Sequence, residues 1–447
     1  MNSSAGKPKL TFFALEALNS LSTSYYFFYL FFFMAEKYGF DNRDNLALAA
    51  FNGFVYMANA WLGGRFGQRF GYLNALQVGV IGMALPLMAG YTLDSSWGHI
   101  LVMALCTLGM GFTWPNLEAL VSEGESPATL PHTLGIYNMV WAAMGALAFF
   151  FGGALLETLG ERSLFWLPAG IQLVQMLLII RLKRPAAGLV SRGVQIPSAD
   201  FLETKRDRLL TPALSSAEEE REKRLNPVRM FNAQGPNSAN PPADSPSPRS
   251  VLPPLNPRPI ARAKMFLKMA WLANPFAYVA INTVVAVVPG IAKQFELTPR
   301  LAGFFCSVWF FARATTFCAL WLWKGWHYRF RWFLGAYLLL MGGFVGVLLA
   351  PKLTLVMLAQ IAFGMGLGLI YYSSLFYSMD VGEAKAEHGG LHESAIGAGI
   401  FGGPAIAGTA LYFNPSNPHS GTIAVAGVLW VGCVTLLAMR YWSRARS

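Results

Sequence analysis

Charge is scarce in this chain. Asp, Glu, Lys and Arg make up 13% of it, against the ~25% of a soluble domain. So few charges cannot clothe a water-facing surface, which excludes an ordinary soluble globular protein. Cysteine is scarce too. Cys106, Cys306, Cys318 and Cys433 lie far apart inside apolar stretches, with no CxxC pair. That excludes a disulfide framework and a zinc site, and leaves small packing residues. No HxxxxD pattern and no pair of Asp residues falls inside an apolar stretch. The catalytic cluster of a membrane-bound acyl or glycosyl transferase is therefore missing, and neither an enzyme nor a cofactor is expected.

What is plentiful is apolar. Hydrophobic residues reach 54% of the chain, and the 34 Phe equal Lys and Arg combined. Twelve stretches are long enough to cross a hydrocarbon core, which takes ~20 helical residues. In the first half they lie near 10–34, 45–63, 72–92, 98–121, 133–156 and 163–181. In the second they lie near 265–289, 301–323, 332–350, 353–378, 391–411 and 421–440. The first is too long for a signal-peptide core and has no small-residue cleavage site, so it reads as a span. The expected fold is all-α and polytopic.

Between the halves, 182–264 is a different kind of sequence. It holds Pro241-Pro242, Pro253-Pro254 and the run Glu218-Glu219-Glu220-Arg221-Glu222-Lys223-Arg224. Ser215 with Glu218 reads as a capping box for one short helix; the rest reads as a flexible, largely disordered linker. The expected domains are thus a bundle over 1–181, a linker over 182–264 and a second bundle over 265–447.

The net charge of +11 points to topology rather than to nucleic acid. With alternating loops, one set holds six Lys and Arg; the other set, with both termini, holds eleven; the linker and its edges add sixteen. Cytoplasmic loops carry the basic excess, so both termini and the linker are expected in the cytoplasm, with the protein in the cell (inner) membrane. The halves also echo each other. Gly109, Gly111, Trp114 and Glu123 precede a polar loop, then Tyr137-Asn138, Gly152 and Gly153. Gly366, Gly368, Tyr371 and Asp380 precede a polar loop, then His392-Glu393, Gly403 and Gly408. A six-plus-six duplication is common among carriers.

After the second span the chain reads Gly64-Arg65-Phe66-Gly67-Gln68-Arg69-Phe70-Gly71. This resembles the signature loop between helices 2 and 3 of the major facilitator superfamily, whose members are built from two six-helix halves. Gly64, Arg69 and Gly71 match. Gln68 replaces the usual Asp, and Tyr72-Leu73 replace the usual basic pair. The second-half counterpart, Lys324-Gly325-Trp326-His327-Tyr328-Arg329, is degenerate but basic. The resemblance covers nearly the whole chain outside the linker. It implies two pseudo-symmetric bundles that work as a monomer by alternating access. It also implies a cytoplasmic gate at Gly64, Gln68, Arg69 and Gly71, with Glu393 opposite. Gly399, Gly403-Pro404 and Gly408 in span eleven resemble the Gly-Pro motif that drug/proton antiporters carry in helix five, but span five here has no Pro. Close helix packing is the plainer account of these glycines.

Helical spacing places polar residues in stripes: Glu16, Asn19, Thr23 and Tyr26 in span one; Asn52, Tyr56 and Asn59 in span two; Gly111, Trp114 and Glu118 in span four. Asn274, Tyr278 and Asn282 follow in span seven, Trp309, Arg313 and Thr316 in span eight, Tyr371, Ser374 and Ser378 in span ten. Such stripes avoid lipid and face protein or a wet cavity. The resemblance puts these helices at the central cavity, with span five beside them. The expected solute contacts are Asn19, Tyr26, Asn52, Tyr56, Trp114, Asn138, Trp141, Tyr278, Asn282, Trp309, Arg313, Tyr371 and Ser374. Glu16 and Glu118 are the candidate carriers of a coupling proton. His388, His392 and Glu393 fit capping and gate contacts better than a metal site. The expected activity is secondary transport of a small polar solute. Aromatics with amides suit a sugar-like metabolite, and Arg313 suits an organic anion. A multidrug/proton antiporter and a non-transporting sensor or receptor are the alternatives. The expected partners are that solute, the proton and the lipid bilayer.

Overall fold

The computed structural model describes residues 6–125, 129–190, 257–323, 325–380 and 385–445. Among them there are helices and turns and no strand. The first half holds α1 (Gly6–Tyr38), α2 (Asn42–Phe70), α3 (Tyr72–Gly90), α4 (Ser96–Gly111), α5 (Trp114–Ser122), α6 (Leu130–Leu159) and α7 (Ser163–Val190). The second holds α8 (Pro257–Gln294), α9 (Pro299–Cys306), α10 (Val308–Leu322), α11 (Phe330–Leu349), α12 (Leu353–Asp380), α13 (Lys385–Phe413) and α14 (Ser420–Ala445).

With α4 and α5 taken as one span, and α9 and α10 as another, 11 spans among the described residues are long and apolar enough to cross a bilayer. The expected first span, α1, is 33 residues long and is not among these 11. Its buried polar residues, Glu16, Asn19, Ser20, Ser22 and Thr23, lower its apolar character. α7 runs past residue 181 and α8 starts before residue 265, so helix extends beyond both expected linker edges. The capping box at Ser215 and the rest of 191–256 lie outside the described residues. The helices of both halves belong to one compact unit, 1–182 with 256–447. A second unit, Lys183–Leu255, is described only at the end of α7.

Two spans break midway, and each break has a local cause. Pro115 opens α5; it has no N–H and its ring crowds the carbonyl one turn back. The freed groups are met by side chains, as a low-dielectric interior requires. Asn59 Nδ2 donates to the Leu108 carbonyl at 2.5 Å, and Asn116 Nδ2 donates to Phe112 O at 3.0 Å while also reaching Gly63 O of α2 at 3.2 Å. The α9–α10 break at Ser307 has no proline. There the buried Gln360 of α12 accepts from the Trp309 amide at 3.4 Å and donates to the Phe305 carbonyl at 2.8 Å.

The α2–α3 junction differs from the expected loop. Residues 64–70 continue α2, and Gly71 alone makes the turn at φ +93°. A side chain there would be strained, which is why a single glycine suffices. Gly399 and Gly403 bring α13 onto the backbone carbonyls of Pro275 and Val279 in α8, the packing role expected of small residues in membranes.

The halves meet along two seams. α2 runs against α13, where Gly397 packs on Met57. α6 runs against α9, where Gly153 touches the Pro299 carbonyl. The second seam is tied at its end by Arg300, whose amide donates to Glu157 Oε1 at 2.8 Å and whose Nε lies 3.2 Å from Glu157 Oε2. On the same end, Lys37 sits 3.1 Å from both Asp94 and Glu161; its ammonium holds the Asp94 carboxyl below the usual carboxylate range. A side chain at Gly153 would meet backbone, which has no rotamer to yield. Gly153→Leu is expected to cost about 1–3 kcal/mol of overpacking and lower the thermal midpoint of the purified protein. Gly170→Leu, with open space at its Cβ, is expected to leave the midpoint unchanged. Equal midpoints for the two variants would rule this seam out.

Candidate functional site

A cavity of about 1130 Å³, counting space open to solvent, lies between the halves. Its walls come from α1, α2, α4, α5, α6, α8, α10, α12 and α13; α3, α7, α9, α11 and α14 contribute nothing. Both broken spans bring their breaks to it: Met110 and Trp114 flank the first, Trp309 and Phe310 follow the second. A break turns successive side chains out of helical register. The residues after it can then face inward while the helix before it packs elsewhere.

Ten of the thirteen expected solute contacts line this cavity: Asn52, Tyr56, Trp114, Asn138, Trp141, Tyr278, Asn282, Trp309, Arg313 and Tyr371. Three do not. Asn19 is buried and donates from Nδ2 to Thr113 Oγ1 at 3.4 Å, toward the α4–α5 break. Tyr26 is buried with its ring edge-on to Phe165 of α7, centroids 6.1 Å apart. Ser374 is buried behind the wall. For α1 the reason is rotation. At ~100° per residue Glu16, Asn19, Thr23 and Tyr26 fall within about 80° of arc, but that face is turned partly away from the cavity. The face of α1 that lines the cavity carries Thr23, Ser24, Phe27 and Phe28.

Arg313 dominates the electrostatics. Only 5% of it is exposed. Its guanidinium lies 4.4 Å from the Trp141 ring, 5.0 Å from Phe310 and 5.3 Å from Trp309. Among the described residues no carboxylate pairs with it, and its Nε has no hydrogen-bond partner. Trp141 belongs to the first half and stacks on Tyr371 of the second, with centroids at 5.4 Å and planes 24° apart. One indole is thus held between a cation and a phenol ring of the other half. Phe28, Phe149 and Phe310 close the wall beside it, their centroids 4.9 to 5.6 Å apart.

The amides are partly committed. Asn138 Nδ2 donates to Leu134 O at 2.9 Å, and Asn282 Nδ2 donates to Tyr278 O at 3.0 Å. Asn52 Oδ1 accepts from Thr107. Of the two candidate proton carriers, Glu118 lines the cavity. Glu16 lies behind it at 0% exposure; its Oε1 accepts from Ser20 at 2.6 Å, and Oε2 has no partner.

The expected gate residues sit apart from the cavity. Gln68 and Arg69 are exposed, and Arg69 lies 5.3 Å from the Phe70 ring. Gly64 is in ordinary contact with Pro115. The side chains of His388, His392 and Glu393 lie outside the described residues. Phe27, Phe28, Phe310, Ile281, Ile396 and Ile400 also line the cavity; apolar residues in an apolar span carry no pattern that singles them out. Asn116 and Gln360, which support the breaks, were detectable in principle as amides deep in spans.

A sequence model described as the Major Facilitator Superfamily matches residues 12–404. No curated protein matches. Among solved structures, the peptide transporter POT in complex with sulfate is similar at TM-score 0.64 and 15% identity, over 97% of this chain and 94% of that one. A point mutant of the nucleoside transporter NupG is similar at TM-score 0.64 and 13% identity, over 96% and 99%. A POT family transporter with a thioalcohol-conjugated peptide is similar at TM-score 0.63 and 14% identity, over 98% and 96%. At such identities the likeness is one of fold. The matched family, the helical spans and the cavity between the halves agree, and the chain belongs to the Major Facilitator Superfamily, an integral membrane transporter and not an enzyme.

Proposed function

We propose that this protein carries a small polar solute across the cell membrane by alternating access, with the solute held in the central cavity and a proton as coupling ion. The observation that carries the reading is the wall itself. Every span that the resemblance puts at the cavity contributes to it, and α3, α7, α11 and α14 do not. Polar groups and a buried cation gathered away from lipid mark a solute path. Alternating access then needs the two seams between the halves to open at one end and close at the other. The Arg300–Glu157 pair is the contact that breaks when the Lys37 end opens. Both termini and 182–264 face the cytoplasm in this reading, on the strength of the basic excess.

Counterflow in proteoliposomes tests transport, and cysteine labelling tests orientation. Liposomes loaded with a transported solute should draw in labelled solute faster than protein-free liposomes, with saturation. A cysteine at Ser238 should resist impermeant reagent in intact cells and react after lysis. Reaction in intact cells would reverse the orientation. Rates equal to those of protein-free liposomes across sugars, amino acids, peptides, nucleosides and organic acids would remove the transport reading.

A further inference from the structure

We propose that the cavity selects a small organic carboxylate with an apolar body, its anionic head on Arg313 and its body against the Trp141–Tyr371 stack. This deepens the transport reading above and rests on it.

The cation of this cavity has no ion-pair partner among the described residues. Arg313 is withdrawn from solvent inside a membrane-spanning bundle. Burying a cation costs several kcal/mol unless it is paired. The three rings around it offer a partial answer, since a cation over an aromatic face gains only about 0.5–2 kcal/mol. Rings carry no net charge, and no described carboxylate lies within ion-pair distance of Arg313, Glu118 of the same cavity included. The missing partner is an anion that comes and goes.

Hydrogen bonding points the same way. Arg313 Nε and Trp309 Nε1 are both buried without a partner. They lie one turn apart on α10, and both residues line the cavity. Guanidinium and indole donate only. Two unmet donors beside a positive charge fit acceptor oxygens of a carboxylate, which takes paired bonds from an arginine. A neutral sugar fits less well. Its hydroxyls need donors and acceptors spread around the ring, while Asn52, Asn138 and Asn282 each already spend part of their amide on the protein.

The walls set the rest of the ligand. Phe27, Phe28, Trp141, Phe310, Tyr278 and Tyr371 give the cavity broad aromatic faces. A planar or branched apolar body gains from those faces, and a compact hydrophilic acid would leave them wet. The anion also has a structural consequence. Trp141 now covers the guanidinium from the opposite half, at 4.4 Å. A carboxylate on Arg313 takes over the neutralising role and releases that hold between the halves.

The test uses the purified full-length chain, with benzoate and phenylacetate as probes and benzamide, phenylacetamide and glucose as neutral comparisons. Binding is read by quenching of tryptophan fluorescence and by thermal shift. The carboxylates should bind roughly tenfold or more tightly than their amides, the scale of one charge-assisted contact. In Arg313→Gln that preference should vanish. In Trp309→Phe, which keeps the ring and removes the donor, the preference should shrink about two- to fivefold. The comparison of acid with amide in the unaltered protein stands even where a variant does not fold. Acids and amides that bind alike, glucose that binds more tightly than either, or no binding by either acid overturns the proposal. Counterflow that persists in those cases leaves the transport reading standing. Binding with the acid preference but without any flux supports this site and removes the transport reading instead.

Discussion

Arg313→Ala is expected to reduce solute accumulation in proteoliposomes by roughly 100-fold. A carboxylate solute held as proposed would lose two parallel charge-assisted bonds, each worth about 1.5–3 kcal/mol, and a difference of 1.4 kcal/mol is tenfold in affinity. The substitution also removes the cation from beneath Trp141, Phe310 and Trp309, so the cavity loses both this cation and the contact that spans the halves. Arg313→Lys separates these effects. The charge stays, but an ammonium lacks the planar fork that pairs with two oxygens and lies flat on an indole. Accumulation in the Lys variant should fall between wild type and Ala. A well-folded Ala variant, judged by an unchanged thermal midpoint, that accumulates solute normally would show that Arg313 does not touch the solute.

Glu16→Gln is expected to abolish accumulation driven by an imposed pH gradient while leaving counterflow intact. Glu16 is fully buried on α1, with Tyr137 and Trp114 as its polar neighbours besides Ser20, and both of those neighbours line the cavity. A proton on Oε2 would change what this carboxyl can accept or donate next to the cavity wall. It drives transport only if the two conformations bind it differently, and a glutamine, which does not titrate, has no such difference. Counterflow needs no gradient and should survive. Glu118, at the cavity itself, is the other candidate. Accumulation that responds to the gradient equally in wild type and Glu16→Gln would move the coupling role away from Glu16. Accumulation that ignores the gradient in wild type would remove proton coupling.

Much of the site was legible before the fold. Asn52, Tyr56, Tyr278, Asn282, Trp309 and Arg313 were marked by polar or amphipathic residues at helical spacing in largely apolar spans, and all six line the cavity. Where the pattern failed, geometry explains it. The stripe through Glu16, Asn19 and Tyr26 does share one face, but the face of α1 turned to the cavity carries Thr23, Ser24, Phe27 and Phe28, and periodicity does not say which face that is. The motif at 64–71 was expected as a loop, yet its backbone stays helical to Phe70 because only Gly71 adopts a positive φ. Glycine content alone does not say which glycine turns.

The sequence by itself determined the solvent of this protein, its all-helical class and the loops richest in basic charge. These follow from local composition: an apolar run of sufficient length has one way to satisfy its backbone in lipid. Tertiary structure decided which polar residues meet. Gln360 reaches the α9–α10 break from α12, Trp141 reaches Arg313 and Tyr371 from the other half, and no described carboxylate arrives to pair with Arg313. Those are matters of contact between distant segments, and periodicity along one helix fixes only the direction a side chain takes, not what the neighbouring helix brings to meet it.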